Sequence, residues 1–233
     1  MRAWDERGRV DRRSVLRLAA VGGAAAMLGV AAGRGGPRLA SAQATVTPDE
    51  ALKALMDGNA RFTANRLTSF QEDLTLLAQK TAEKQEPFAA VLSCADSRLP
   101  VEIVFDQSIG HVFVTRVAGN VATPEIIASL EYGAAVLGTR AIMVLGHAAC
   151  GAVTAAIAGK AVPGQISALY APLRPAVDQA GPDLEATIRA NARLQASLLR
   201  QASPVIAGLV TQGKVGVVAA YYDLASGAVS LLK

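Results

Sequence analysis

The sequence predicts an α/β fold: a mainly parallel central sheet flanked by helices, closed by a C-terminal antiparallel hairpin strand. Three observations carry this. Residues 88–93 and 141–146 are short, unbroken apolar runs, as strands buried on both faces are. Stretches with helical spacing lie between and after them, and such alternation builds a parallel sheet. Near the C-terminus, two strand-like runs at 215–222 and 228–232 flank a short polar turn at 223–227.

Taken in order, the elements have local reasons. Thr47-Pro48-Asp49-Glu50 opens a helix, with Thr47 as cap, Pro48 in the first turn and Glu50 at the capping-box position. Residues 51–65 then carry Leu52, Leu55, Met56 and Phe62 along one side. Residues 88–93 form the first strand and the β-branched run 111–117 the second. A Thr-Pro-Glu start opens a helix over 123–137, with Ile126, Ile127, Leu130 and Ala134 at helical spacing. Residues 141–146 give a third buried strand, 150–158 a helix, and 183–200 a long amphipathic helix. No internal repeat or long linker divides 43–233, which reads as one domain.

Hydrophobic residues make up 52% and charged residues 18% of the 233, enough for a core and too apolar for a disordered chain. The pI of about 9.3 invites a nucleic-acid reading. Residues 1–42, however, hold eight of the 23 basic residues and only three of the 19 acidic ones. The remaining chain has 15 basic and 16 acidic residues and is near neutral. The basicity belongs to the N-terminus, and nucleic-acid binding loses its support.

That N-terminus resembles a twin-arginine export signal. Arg12-Arg13 precedes the apolar stretch 18–32, and Leu39-Ala40-Ser41-Ala42 offers a small-residue cleavage site before Gln43. The apolar stretch is shorter than the roughly 20 residues a membrane-spanning helix needs. The expectation is a signal at 1–42, a domain at 43–233, a periplasmic location and no membrane attachment after cleavage.

The domain contains two cysteines and two histidines. Cys94 follows the strand at 88–93, His147 follows the strand at 141–146, and Cys150 lies three residues later at a helix start. Three of the four therefore emerge at one edge of the sheet, where α/β proteins gather their functional groups. Asp96 is placed to point to the same spot. Two thiolates and one imidazole suit Zn²⁺ and leave one tetrahedral position for water. Zinc lowers the pKa of bound water and so generates a nucleophile near neutrality. Two thiolates supply more electron density than imidazoles, so activity is expected to favour higher pH.

Cys94-Ala95-Asp96-Ser97-Arg98, followed by Gly146-His147-Ala148-Ala149-Cys150-Gly151-Ala152-Val153, resembles the signature of β-class carbonic anhydrases. Arg116-Val117-Ala118-Gly119-Asn120 resembles the segment those enzymes carry between the two motifs. The resemblance is strong from about residue 87 to 153. It implies a β-carbonic-anhydrase-like fold and a zinc lyase that interconverts carbon dioxide and bicarbonate. It makes Cys94, His147 and Cys150 the zinc ligands, and Asp96 and Arg98 a catalytic dyad in which Asp96 rests either on zinc or on Arg98. It further implies that Gln85, Phe113, Tyr132 and Gly151 border the substrate, partly across the interface of a homodimer or dimer of dimers. His111 departs from the acidic residue usual at its place.

Other readings of the same residues stand beside this one. Two cysteines in an exported chain also fit a Cys94–Cys150 disulfide. Asp96 alone reads as a helix cap, Arg98 as a surface charge, Gln85 as a solvated loop residue, and Phe113 and Tyr132 as core aromatics. A carbon disulfide or carbonyl sulfide hydrolase would use the same metal set, and a non-catalytic zinc or bicarbonate-binding protein would need no turnover.

Overall fold

The computed structural model describes residues 46–69, 79 and 81–233. The chain divides into two units, Met1–Arg38 and Leu39–Lys233, and every described residue lies in the second. The expected signal at 1–42 falls outside the described residues. Among the described residues, no helix is long and apolar enough to cross a membrane.

Among the described residues, five strands form one sheet: β1 (Ala89–Ser93), β2 (Val112–Arg116), β3 (Ala141–His147), β4 (Gly216–Tyr222) and β5 (Val229–Leu232), in the order β2-β1-β3-β4-β5. The first four run parallel and β5 returns antiparallel to β4. Every residue of β1 and β3 is buried, which is why these strands read as unbroken apolar runs. Alternate residues feed two cores. Val91, Met143 and Leu145 face Leu55 and Phe105, together with Cys94 and Cys150. Ala90, Leu92, Ile142 and Val144 face Leu130, Leu199 and Ile206.

Among the described residues, seven α-helices flank the sheet: α1 (Pro48–Thr63), α2 (Val101–Val104), α3 (Pro124–Ala135), α4 (Gly151–Ala158), α5 (Tyr170–Ala180), α6 (Leu184–Ala202) and α7 (Pro204–Thr211). The capping box at α1 forms as expected: Glu50 N–H donates to Thr47 Oγ1, and Thr47 N–H donates to the Glu50 carboxylate. Asp183 caps α6 through Ala186 N–H.

Two differences from the expected elements have plain causes. His147 is the last residue of β3 rather than the first beyond it, because Tyr222 of β4 pairs opposite it. The expectation also omitted α2, α5 and α7. These carry Pro100 as cap, Pro172 and Pro175 inside, and Pro204 at the start, and proline reads as a breaker when only the sequence is in view.

Helix α6 comes close to the site end of β3. A Cβ on Gly146 would stand 3.0 Å from Ile188 Cγ2 and 3.3 Å from the Ile188 carbonyl oxygen. A side chain there would have to push Ile188 back by a few tenths of an ångström, so glycine suits the approach that brings the buried face of α6 against the segment that carries His147.

Candidate metal centre

Parallel pairing sets the site. β1 and β3 are neighbours in register, with Ser93 opposite Leu145, so the residues leaving their carboxyl ends emerge side by side. Cys94 is the first residue past β1, and His147 ends β3. Cys150 caps α4 after a tight turn in which Ala149 takes a positive φ of 52°. That turn folds Cys150 back toward Cys94.

The three side chains converge. Their candidate ligand atoms all lie within 4.8 Å of one another, and all three residues are buried. Both cysteines are free, with sulfurs 4.0 Å apart. A disulfide would need about 2.05 Å. Two sulfurs each about 2.3 Å from one tetrahedral ion stand roughly 3.8 Å apart. The spacing is that of shared ligation.

His147 gives the sharpest fit to a metal. Its ring is fully buried, and Nδ1 lies 2.9 Å from the Ala148 carbonyl oxygen. A carbonyl only accepts, so Nδ1 carries the proton and Nε2 presents a lone pair. Nε2 has no hydrogen-bond partner among the described residues. A buried acceptor left bare costs about 1–3 kcal/mol, a cost that ligation removes.

Charge is distributed to match. The Cys94 thiol is pulled down, chiefly by the Cys150 S–H, against the opposing effect of burial and with help from the Gly119 N–H. Cys150 moves up, because its proton is held by Cys94 and burial disfavours its thiolate. Together the two sulfurs keep one proton, which a cation would displace.

Asp96 rests on Arg98. The guanidinium donates through Nε to Oδ1 at 2.9 Å and through Nη2 to Oδ2 at 2.7 Å, and the Arg98 backbone N–H adds a third bond to Oδ1 at 2.9 Å. The Arg98 side chain is the main reason the carboxyl lies well below the usual carboxylate range. Asp96 Oδ2 is 3.9 Å from His147 Nε2, so the carboxylate borders the ligand atoms while remaining tied to arginine.

Arg116 holds the loop itself. Its guanidinium donates to the carbonyl oxygens of both Cys94 and Asp96, clamping the turn that presents them. The sequence marked the 116–120 segment but gave Arg116 no task. Asn191 and Gln195, buried amides on α6 that reach residues 119–122, were also missed. The available signal was their spacing: Asn191 and Gln195 stand four apart on the same stripe as Ile188, Ala192 and Leu199.

The expected pocket residues are divided. Gly151 opens α4 beside Cys150, with open space where a Cβ would stand. Gln85 is exposed. Phe113 and Tyr132 contact each other, with ring centroids 6.3 Å apart and planes tilted by 47°. Phe113 belongs to the core opposite the cysteines, so within one chain the two aromatics lie across the sheet from the ligands. His111 is exposed and stands just before β2.

These features define an α/β protein with a Cys₂His centre, suited to zinc, at the carboxyl edge of a parallel sheet. Comparison with known proteins agrees. The sequence profile of the carbonic anhydrase family matches residues 89–229. Carbonic anhydrase 2 of Mycobacterium tuberculosis is 45% identical over 111 residues, 48% of this chain, and that match spans about half of the relative (53%). The carbonic anhydrase of Pseudomonas aeruginosa is 31% identical over 198 residues, covering 78% of this chain and 87% of that protein. The solved β-carbonic anhydrase of Aspergillus fumigatus superposes with a TM-score of 0.65 at 25% identity, over 78% of this chain and 90% of that one. The chain belongs to the carbonic anhydrase family, and its fold is that of the β class.

Proposed function

We propose that the chain is a zinc-dependent carbonate dehydratase, a lyase that reversibly hydrates carbon dioxide to bicarbonate and a proton. One observation carries this reading: a buried imidazole nitrogen with no partner among the described residues and two free thiols converge beside a carboxylate that an arginine holds. Cys94, His147 and Cys150 would hold the zinc. Zinc, when bound, supplies the Lewis acidity that makes a water nucleophilic near neutral pH.

The chain's own groups do the rest. Asp96, ionised at neutral pH, accepts at Oδ2 and orients a hydrogen-bond donor next to the ligand atoms. Arg98 keeps that carboxylate from swinging onto them. Carbon dioxide is apolar, so its binding calls for apolar walls with few donors. We assign those walls to Phe113, Tyr132 and Gly151, with Gln85 as the orienting amide, completed in a homodimer or dimer of dimers. Support for assembly comes from the β2 edge, where Tyr132, Val136 and Ile109 are 48%, 48% and 58% exposed. Export to the periplasm rests on Arg12-Arg13 and the apolar stretch after it, and a mature N-terminus at Gln43 is the expected result.

Metal analysis and a carbon dioxide hydration assay test the reading. The purified protein is expected to carry one zinc per chain and to turn over. Cys150→Ser and His147→Ala should lose zinc and more activity than the roughly 10–100-fold that outer partners of a metal cost. Wild-type turnover in either variant would overturn the assigned centre.

A further inference from the structure

Two buried side chains on α6 have no part in the chemistry above. Asn191 and Gln195 are 1% and 3% exposed, one turn apart on the face that meets the site. Asn191 Nδ2 donates to the Gly119 carbonyl oxygen at 2.9 Å. Gln195 Oε1 accepts from the Ala122 N–H at 2.9 Å, while its Nε2 donates to the Pro172 carbonyl at 3.2 Å and to Asn191 Oδ1 at 3.1 Å. Flipping either amide would set donor against donor or acceptor against acceptor, so only this orientation satisfies the network.

The network ends on a ligand. Gly119 N–H donates to Cys94 Sγ at 3.3 Å. Gly119 takes a positive φ of 78°, and a Cβ there would meet Leu173 at 3.2 Å and Ala152 at 3.4 Å. Its carbonyl is tied to Asn191 and its amide points at sulfur, so the two bonds lie on either side of one Cα and together restrain the φ and ψ that set the direction of the N–H. We propose that Asn191, braced by Gln195, is a positioning residue for the metal centre: it aims the Gly119 N–H at the Cys94 sulfur and so sets how strongly that thiolate donates to the metal. This rests on the reading of Cys94 as a zinc ligand. A hydrogen bond to a ligating thiolate draws charge from sulfur and leaves the cation more electrophilic; without it the sulfur donates more strongly.

A purely structural role predicts less. Buried carbonyls and amides in an irregular segment need partners, and Asn191 would then serve only stability. The test separates the two on the full-length protein loaded with cobalt(II), read by thiolate-to-cobalt charge-transfer absorption and by cobalt affinity. Asn191→Leu keeps the bulk and removes the donor. It is expected to move the band to lower energy, because the sulfur donates more strongly, and to weaken cobalt binding roughly 10–100-fold, because the lost positioning of Cys94 outweighs that gain. Thr187→Val is the control, because it removes another buried bond from α6, Thr187 Oγ1 to the Gly181 carbonyl, away from Gly119. That variant should lose stability and leave the band in place. An Asn191→Leu protein with the wild-type band and affinity overturns the proposal, however unstable it is. Should that variant fail to fold, wild-type protein loaded with cadmium-113 decides. Scalar coupling between the Gly119 amide proton and cadmium through Cys94 supports the proposal, and its absence overturns it. A shifted band in Asn191→Leu alongside a zinc-loaded wild type that does not hydrate carbon dioxide would support this inference while removing the activity assigned above.

Discussion

Arg98 makes three hydrogen bonds to the single carboxylate of Asp96 and a weaker one, at 3.3 Å, to the Ala149 carbonyl. Arg98 is half exposed, so the pair contributes little to stability; its value is in direction. Arg98→Gln removes the forked pairing and frees Asp96 to cross the 3.9 Å toward the ligand atoms. The expected result is a full complement of zinc with kcat/KM lowered roughly 10–100-fold. Unchanged kcat/KM would show that the dyad has no part in turnover. At this scale the ligands were legible because their chemistry is rare: two cysteines and two histidines occur in the domain, and three of them follow two buried runs. Arg116, Asn191 and Gln195 were not, because their contribution is a hydrogen bond to a backbone group, which common polar residues make anywhere.

Between elements, Asp106 joins the end of α1 and the loop after it to the turn following α2. Its buried carboxylate accepts from the N–H and hydroxyl groups of both Thr68 and Ser69 and from Arg61 Nε. Burial is the largest single influence on this carboxyl and opposes ionisation, yet the donors from Ser69, Arg61 and Thr68 together outweigh it and hold the group below the usual carboxylate range. A folded pKa below the unfolded one means that the contribution is complete above about pH 4 and fades as pH falls through the depressed value. Asp106→Asn should therefore cost about 2 kcal/mol at pH 7, the scale of hydrogen bonds to a charged group. The gap between variant and wild type should narrow below pH 4, as urea unfolding at pH 7, 5 and 3 would read. A gap of constant size would mean that the charge is irrelevant. The same comparison of elements explains what the sequence hid. Strands β1 and β3 and helices α1, α3 and α6 announce themselves by periodicity and caps, whereas α5 holds Pro172 and Pro175 within its turns and is kept helical by contacts of Leu173 and Ala176 with the core.

Over the whole molecule, the sheet is expected to form without the metal. β1 and β3 are buried on both faces and paired along their lengths; one core takes in Cys94 and Cys150, and the other closes with none of the assigned ligands. Fold class was readable for that reason: unbroken apolar runs alternating with amphipathic helices leave few arrangements other than a covered parallel sheet. Strand order was less so, since nothing local to β4 says that it lies beside β3 rather than beside β2. The centre is therefore expected to join parts that strand pairing and packing place, unlike a small zinc module that folds only around its ion. Removing zinc with a chelator should leave the strand and helix signals of circular dichroism unchanged at 25 °C. It should still lower Tm, because a ligand that binds only the folded state adds about 2.7 kcal/mol at a free concentration one hundred times its Kd. At about 2–4 °C per kcal/mol for a chain of this size, the expected fall is about 5–10 °C. Collapse of the secondary structure on chelation would instead mean that the ion builds the edge of the sheet on which it sits.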